Sequence, residues 1–462
     1  MVQPLPLPSV AKALALPELL TSILDCLSGD MRHLAQAARV NKQWFSCGTN
    51  VLWRHASCEA LANVPDDRRH IYAAKITSLT FSGGEEALYH ERFRNLEFSS
   101  LRHISLDAYR PADYASYPIR QYFQPPLESF SFYGGHLDHD LLDQLRSQAW
   151  RLRTLLIDSP GPHVEASFFL DFISRYKSLQ HIKFLYGMDH LVTDDLILHL
   201  AQRSDLLQLE IGKTCSEQLL ELVSSRIAHP FRDLRAIHIA LTSAAVPSAA
   251  KLFPRVTYLG LDVRDAGVNV MQSLSSLSAL RHFALTFAAD TRLSLEELLS
   301  LKKLSRLQEL TIEPNERETD PTVTALEAAF SDKHFDDIVS HLPSLRRLSF
   351  LVQCTLSAAA LLSLAKHCPL LEECNMLPVF DIRMLESEAR RNSPLFPKLR
   401  FLEVGGFRPS TPNGEQSAEQ TPPQDLIDLM KKSFPKLKEL YVSADDEYSA
   451  AVADEFSASD SD

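Results

Sequence analysis

The sequence predicts an α/β repeat protein: a small helical unit at the amino end, then a horseshoe-like solenoid with a parallel sheet on its concave side and helices outside. Three observations predict it. A phrase of the form apolar-x-x-apolar-x-apolar starts at Ile76, Leu101, Leu127, Leu152, Leu179, Leu206, Leu234, Val256, Leu280, Leu307, Leu345, Leu371, Leu399 and Leu437, and eleven of its thirteen intervals are 22–28 residues long, the other two being 38. Between phrases lie segments with helical apolar spacing, such as LDHDLLDQLRSQAW and VTDDLILHLAQRS. Ahead of the first phrase, Leu20, Ile23, Leu24 and Leu27 fall at i, i+3, i+4 and i+7.

Taken in order, residues 1–15 are a Pro-rich lead expected to be disordered. Pro17 suits the first turn of a helix, where its missing N–H costs nothing. Ser28, Gly29 and Asp30 break that helix, and Met31 to Val40 read as a second with Leu34, Ala37, Ala38 and Val40 inward. Asn41 can cap a third helix carrying Trp44, Phe45, Leu52 and Trp53. A unit of about 40 residues buries little alone and usually needs a partner. These helices therefore read as a docking module, or else as the cap that closes a solenoid.

The stretch Leu16–Arg54 resembles an F-box, the adaptor-binding module of receptor subunits in cullin-based ubiquitin ligases. The matching positions are Leu16-Pro17, Glu18, Leu19-Leu20, Ile23, Leu27, Leu34, Val40, Lys42, Trp44 and Leu52-Trp53-Arg54. The segment between Leu27 and Leu34 is longer than the usual pattern. By this resemblance, Leu16, Pro17, Leu19, Leu20, Ile23, Leu27, Leu34, Val40, Trp44, Leu52 and Trp53 would hold a Skp-family adaptor and, through it, a cullin ligase core.

Residues 55–75 read as a helical or irregular connector, and the repeats as one body over 76–443. Units of roughly 20–29 residues belong to leucine-rich repeats. The repeats are degenerate, because the Asn or Cys common three residues after the last strand leucine is matched only by Asn315. Ser294 and Glu297 form a capping box for the helix SLEELLSLKKL. The two long intervals read as insertions, one including PNERETDPT after Ile312 and one over Gly405–Gln424, rich in Pro, Gly, Ser and Gln and expected to be disordered. From Ala444 the chain reads as an acidic disordered tail without Lys or Arg.

Composition narrows function. Hydrophobic content of 45% and charged content of 23% describe a soluble globular chain. No amino-terminal signal peptide and no apolar run long enough for a membrane span are present, so cytosol or nucleus is expected. Seven cysteines without paired spacing suggest a reducing compartment, with Cys368 and Cys374 as buried thiols. A net charge of −12 argues against nucleic acid. No phosphate-loop, zinc-protease or hydrolase motif occurs, His136 and His139 lack a third metal ligand, and no cofactor or catalytic residue is implied. The expected function is that of a non-catalytic substrate receptor, or alternatively a repeat scaffold with no ubiquitin role. Strand alternation places Asp107, Asp158, Glu210, Asp262, Glu309, Glu313, Glu373, Glu403 and Glu439 on the open sheet face with Tyr133, Tyr258 and Tyr441. Against these nine acids stand Lys183 and Arg347, a more lopsided ratio than the chain's 59 to 47, so this face is expected to bind a basic segment of a protein substrate.

Overall fold

The computed structural model describes residues 14–83, 86–109, 119–266, 269–315, 321–325, 330–408, 424–443 and 446–458. It divides into two compact units, Met1–His199 and Leu200–Asp462. In the first, three helices (Pro17–Asp25, Met31–Ala37, Lys42–Leu52) precede a parallel sheet of β1 (His55–Ser57), β2 (Ser78–Thr80), β3 (His103–Tyr109), β4 (Ser129–Gly135), β5 (Thr154–Asp158) and β6 (His181–Phe184), neighbours in chain order. In the second, β7 (Gln208–Cys215), β8 (Ala236–Leu241), β9 (Tyr258–Val263), β10 (His282–Phe287), β12 (Glu309–Pro314), β14 (Arg347–Phe350), β15 (Glu373–Phe380), β16 (Phe401–Phe407) and β17 (Glu439–Val442) are parallel in that order.

Each of the fourteen phrases becomes a strand that begins two residues after its first apolar residue, from Ile76 and Ser78 to Leu437 and Glu439. The register explains the pattern. Leu79, Ile104, Phe130, Leu155 and Ile182 face one another across the first sheet, all buried. Leu209, Ile237, Leu259, Phe283, Leu310 and Leu348 do the same in the second. A fully buried side chain of this size contributes about 1.5–3 kcal/mol, realised here only against the adjacent repeat. Helices return the chain between strands and are capped by the residues their sequence offers: Asp138, Ser216 and Ser357 each accept a backbone N–H, and Ser294 with Glu297 forms the expected capping box.

Three expectations change. The supposed connector 55–75 is itself a repeat: β1 pairs with β2 and is followed by helices Cys58–Ala62 and Asp66–Ala73. Its register with β2 makes Trp53, Ala56 and Cys58 its phrase, too short on aliphatic residues to be recognised. The tail forms a helix over Glu447–Ala458, because Val452 and Phe456 are four apart and buried, and Ser449 accepts the N–H of Phe407 at 2.8 Å. The second insertion begins later than expected, since Gly405–Phe407 belong to β16; a Cβ on Gly405 would lie 1.8 Å from the Leu377 carbonyl oxygen, beside a register shift between Met376 and Val379. Its remaining residues 409–423 lie outside the described residues, as do 1–13 of the lead and 316–320 of the first insertion. Within that first insertion, β13 (Val323–Ala325) pairs with β11 (Thr291–Leu293) as a separate two-stranded sheet.

Candidate docking surfaces

The front helices build one small core. Pro17 stands in the first turn of its helix, Asp30 accepts the N–H of His33, and Asn41 accepts that of Trp44 at 2.9 Å. Leu20, Leu24, Leu34, Cys47 and Val51 are buried together, with Leu27, Ala37, Trp44 and Leu52 packed against them. Gly48 lets the third helix approach Ala38, whose Cβ would stand 3.0 Å from an added one.

This core divides the eleven expected adaptor contacts. Leu20 and Leu34 are interior, Leu27, Trp44 and Leu52 are half-buried against the core, and Trp53 stacks on Tyr72 at 4.6 Å. Leu16, Pro17, Leu19, Ile23 and Val40 face outward. Ile23 and Val40 therefore do not join the core as their spacing suggested; Val40 follows the end of the second helix, which stops at Ala37. Met31, absent from the expected set, is also outward. The first helix thus has two adjoining stripes, Leu20 and Leu24 inward, Leu16, Leu19 and Ile23 outward. Of the thirteen large hydrophobic residues exposed among those described, five lie within 16–40. Such concentration marks a surface that another body covers.

The module is tied to the first repeats. The carbonyl of Arg54 accepts N–H groups from Thr77 and Ser78, and its guanidinium pairs with Asp25 at 3.0 Å. Lys75 Nζ donates to the Ser46 carbonyl at 3.1 Å and to Thr49 Oγ1; burial lowers its pKa.

On the open sheet faces, Asp107, Tyr133, Asp158, Glu210, Tyr258, Glu309, Glu313, Glu373 and Glu403 are exposed or half-exposed, and Asp262 is mostly buried, its side chain 13% exposed. Several acids are nevertheless partnered at home. Asp262 accepts from His238 at 3.1 Å and Thr286 at 2.6 Å. Burial alone would raise its pKa, but those bonds, with the charges of His238 and Arg264, carry it below the ordinary aspartate value. His282, Glu309, Arg347 and Glu373 form a ladder across β10, β12, β14 and β15, with contacts of 2.9, 2.7 and 3.3 Å. Asp107 accepts the Gly83 N–H at 3.1 Å, Asp158 the Ser159 hydroxyl at 2.7 Å, and Glu313 that of Ser349 at 3.3 Å. Gly260 faces His238 across the strands, and a Cβ there would meet its Nδ1 at 2.7 Å.

One buried polar group has no counterpart in the sequence reading. His90 bridges Glu86 and Tyr122, with both contacts 3.0 Å, and Glu86 also accepts the Asp107 N–H at 2.8 Å. Burial pushes Glu86 up to about 8, against the lowering effect of that N–H, and pushes His90 down to about 3. The i, i+4 spacing of Glu86 and His90 was its only sequence signal. Among the described residues no three His, Cys, Asp or Glu side chains gather to hold a metal: His136 packs against His163 at 4.6 Å and His139 stacks on Phe168 at 4.1 Å. Cys368 and Cys374 are buried, and burial pushes both thiols up to about 12. No helix among the described residues is long and apolar enough to cross a membrane.

No protein-family model and no curated protein sequence matches the chain. Among solved structures, the crystal structure of the Rad7 and Elc1 complex in yeast aligns over 97% of this chain and 96% of that one, at 12% identity and a TM-score of 0.40. A likeness of that size leaves the reading of both surfaces to the residues described above.

Proposed function

We propose that this chain is the substrate-recognition subunit of an SCF-type (Skp/cullin/F-box) ubiquitin ligase. The three front helices dock a Skp-family adaptor, and the open faces of the repeats hold the protein to be ubiquitinated. The observation that carries the reading is the outward stripe Leu16, Leu19 and Ile23, with Met31 and Val40, on a module whose own core is already complete. The adaptor's contact is accordingly assigned to these residues, with Leu20 and Leu34 maintaining the module. The chain supplies no catalytic group; it acts by proximity, raising the effective concentration of substrate lysines near the enzyme that carries ubiquitin.

The substrate is proposed to present a basic segment to the second unit's open face, where Glu373 and Glu439 are exposed and Glu403 is half-exposed. Asp262 and Glu309 serve less well, since each is less exposed and is held by two or more partners, whereas Glu373 is exposed and meets Arg347 at 3.3 Å. The test is co-purification: the full chain should retain a Skp-family adaptor, and Leu16→Ala with Leu19→Ala and Ile23→Ala should lose it while folding normally. A chain that never captures the adaptor, or a triple variant that captures it equally well, overturns the reading.

A further inference from the structure

The second unit holds a cleft of about 540 Å³ where two helices run out into β8 and β9. Its volume falls within the roughly 300–1,000 Å³ range of small-molecule sites. Two stretches of successive repeats form it, 228–234 and 251–256, the second including the last two residues of a helix. The charged lining has one sign, Arg232, Lys251 and Arg255, with His229 beside them and no carboxylate among the lining residues. In a chain of net charge −12 that is an unusual local balance. Each of these four residues is exposed, and among the described residues none of their side chains makes an ion pair or hydrogen bond.

Two structural facts separate this cleft from ordinary solvated cations. Phe231, in its wall, has φ 50°, the left-handed region that a bulky residue rarely occupies. Its N–H donates to the Ala201 carbonyl at 2.9 Å and its ring lies 5.3 Å from that of Phe253, so packing holds the strained conformation in place. Such strain concentrates at ligand clamps. The second fact is charge balance. The helices Glu217–Arg226 and Val246–Leu252 end at the two loops, and each carboxyl end carries roughly half a negative charge. Together they offset about one of the three full cations, and Asp233, beside the lining in the first loop, offsets another, which leaves the cleft positive by about one charge.

We propose that this cleft binds an organic phosphate: a phosphate monoester dianion held by Arg232, Arg255 and Lys251, with its carbon body against Pro230 and Pro254. Guanidinium groups match phosphate oxygens with paired N–H donors, and the lysine adds a point charge. The assignment is independent of the adaptor surface, which lies in the other unit.

The test is calorimetric titration of the full chain with phenyl phosphate, inorganic phosphate and sulfate at one low ionic strength. Phenyl phosphate should bind saturably at one site, at least about tenfold more tightly than either inorganic anion, and should weaken as salt is added. Arg232→Ala with Arg255→Ala should weaken it at least about tenfold, as loss of charged hydrogen bonds does. Phenyl phosphate should also shield Lys251 from an amine-acylating reagent in the unmodified chain, a readout that does not depend on the variant folding. No saturable binding, equal affinity for sulfate, unchanged affinity in the folded variant, or an unshielded Lys251 would each overturn the proposal.

Discussion

The outward stripe of the first helix permits a quantitative test. Leu16, Leu19 and Ile23 are 50, 46 and 47% exposed, so about half the apolar surface of each remains to be covered. Full burial of such a side chain is worth about 1.5–3 kcal/mol, which leaves roughly 0.7–1.5 kcal/mol apiece for a partner. Truncating all three to alanine should therefore cost ~2–4.5 kcal/mol of binding, a loss of about 30-fold to 2,000-fold. Exposed sites of this kind change folding stability by only about 0.5 kcal/mol each. Leu20→Ala is the control with the opposite signature: Leu20 is fully buried in the module core, so its truncation should cost ~2–5 kcal/mol of stability. Titration calorimetry with a purified Skp-family adaptor and thermal melts of the same variants give both numbers. Loss of binding in Leu20→Ala but not in the triple variant, or a triple variant that melts early, would refute the division between an outward and an inward stripe.

Other outcomes follow from particular contacts. Glu86, raised by burial to about 8 from 4.5, contributes stability that is intact below pH 4.5 and lost as pH rises through about 8. His90, lowered to about 3 from 6.5, does the reverse, its contribution being intact above 6.5 and lost as pH falls toward 3. Glu86→Gln should therefore gain on the wild type by up to ~1.4 kcal/mol per pH unit between about pH 5 and 8 in urea melts, and a flat difference would contradict a neutral buried carboxyl. Gly405→Ala places a Cβ on the Leu377 carbonyl and should destabilise by about 3 kcal/mol, read as a lowered melting temperature. Gly260→Ala should push the His238 ring off Asp262, costing about 1–3 kcal/mol and raising the Asp262 pKa, visible in a carboxyl NMR titration. Glu373→Lys with Glu403→Lys and Glu439→Lys should slow association with the captured substrate and flatten its salt dependence; unchanged rates would move the substrate elsewhere.

The strands were legible because an aliphatic residue at each of three fixed positions is needed to fill the space between neighbouring repeats. Where that filling is done otherwise, the signal fails: β1 rests on Trp53, Ala56 and Cys58, and so escaped notice. The closing helix was misread for a related reason. Its acids suggested a solvated tail, but Val452 and Phe456 keep the spacing of one buried face, and Ser449 completes the hydrogen bonding of Phe407. In the module, spacing located the helices yet could not say which apolar stripe faces the core, because Leu20 and Ile23 are chemically alike and differ only in what stands opposite. The open-face acids point outward as alternation expects, while partners such as Arg347 for Glu309 and Ser349 for Glu313, 38 and 36 residues distant, come together only in register.

The absence of any spacer between the third helix and β1 bears on how such a chain could be rebuilt. Trp53 ends the helical module and also opens the first repeat's phrase, and the Arg54 carbonyl is the acceptor for Thr77 and Ser78. The module is thus not a detachable cassette. A graft that exchanges residues 16–54 would take Trp53 out of the first repeat's phrase and remove Arg54 from its bonds to Thr77 and Ser78, and a flexible linker inserted at the joint would part both residues from β1. A transplantable fragment has to be cut after the second repeat begins, and whatever is mounted on these helices inherits a fixed bearing toward β1 and β2 with no swivel to correct a poor fit.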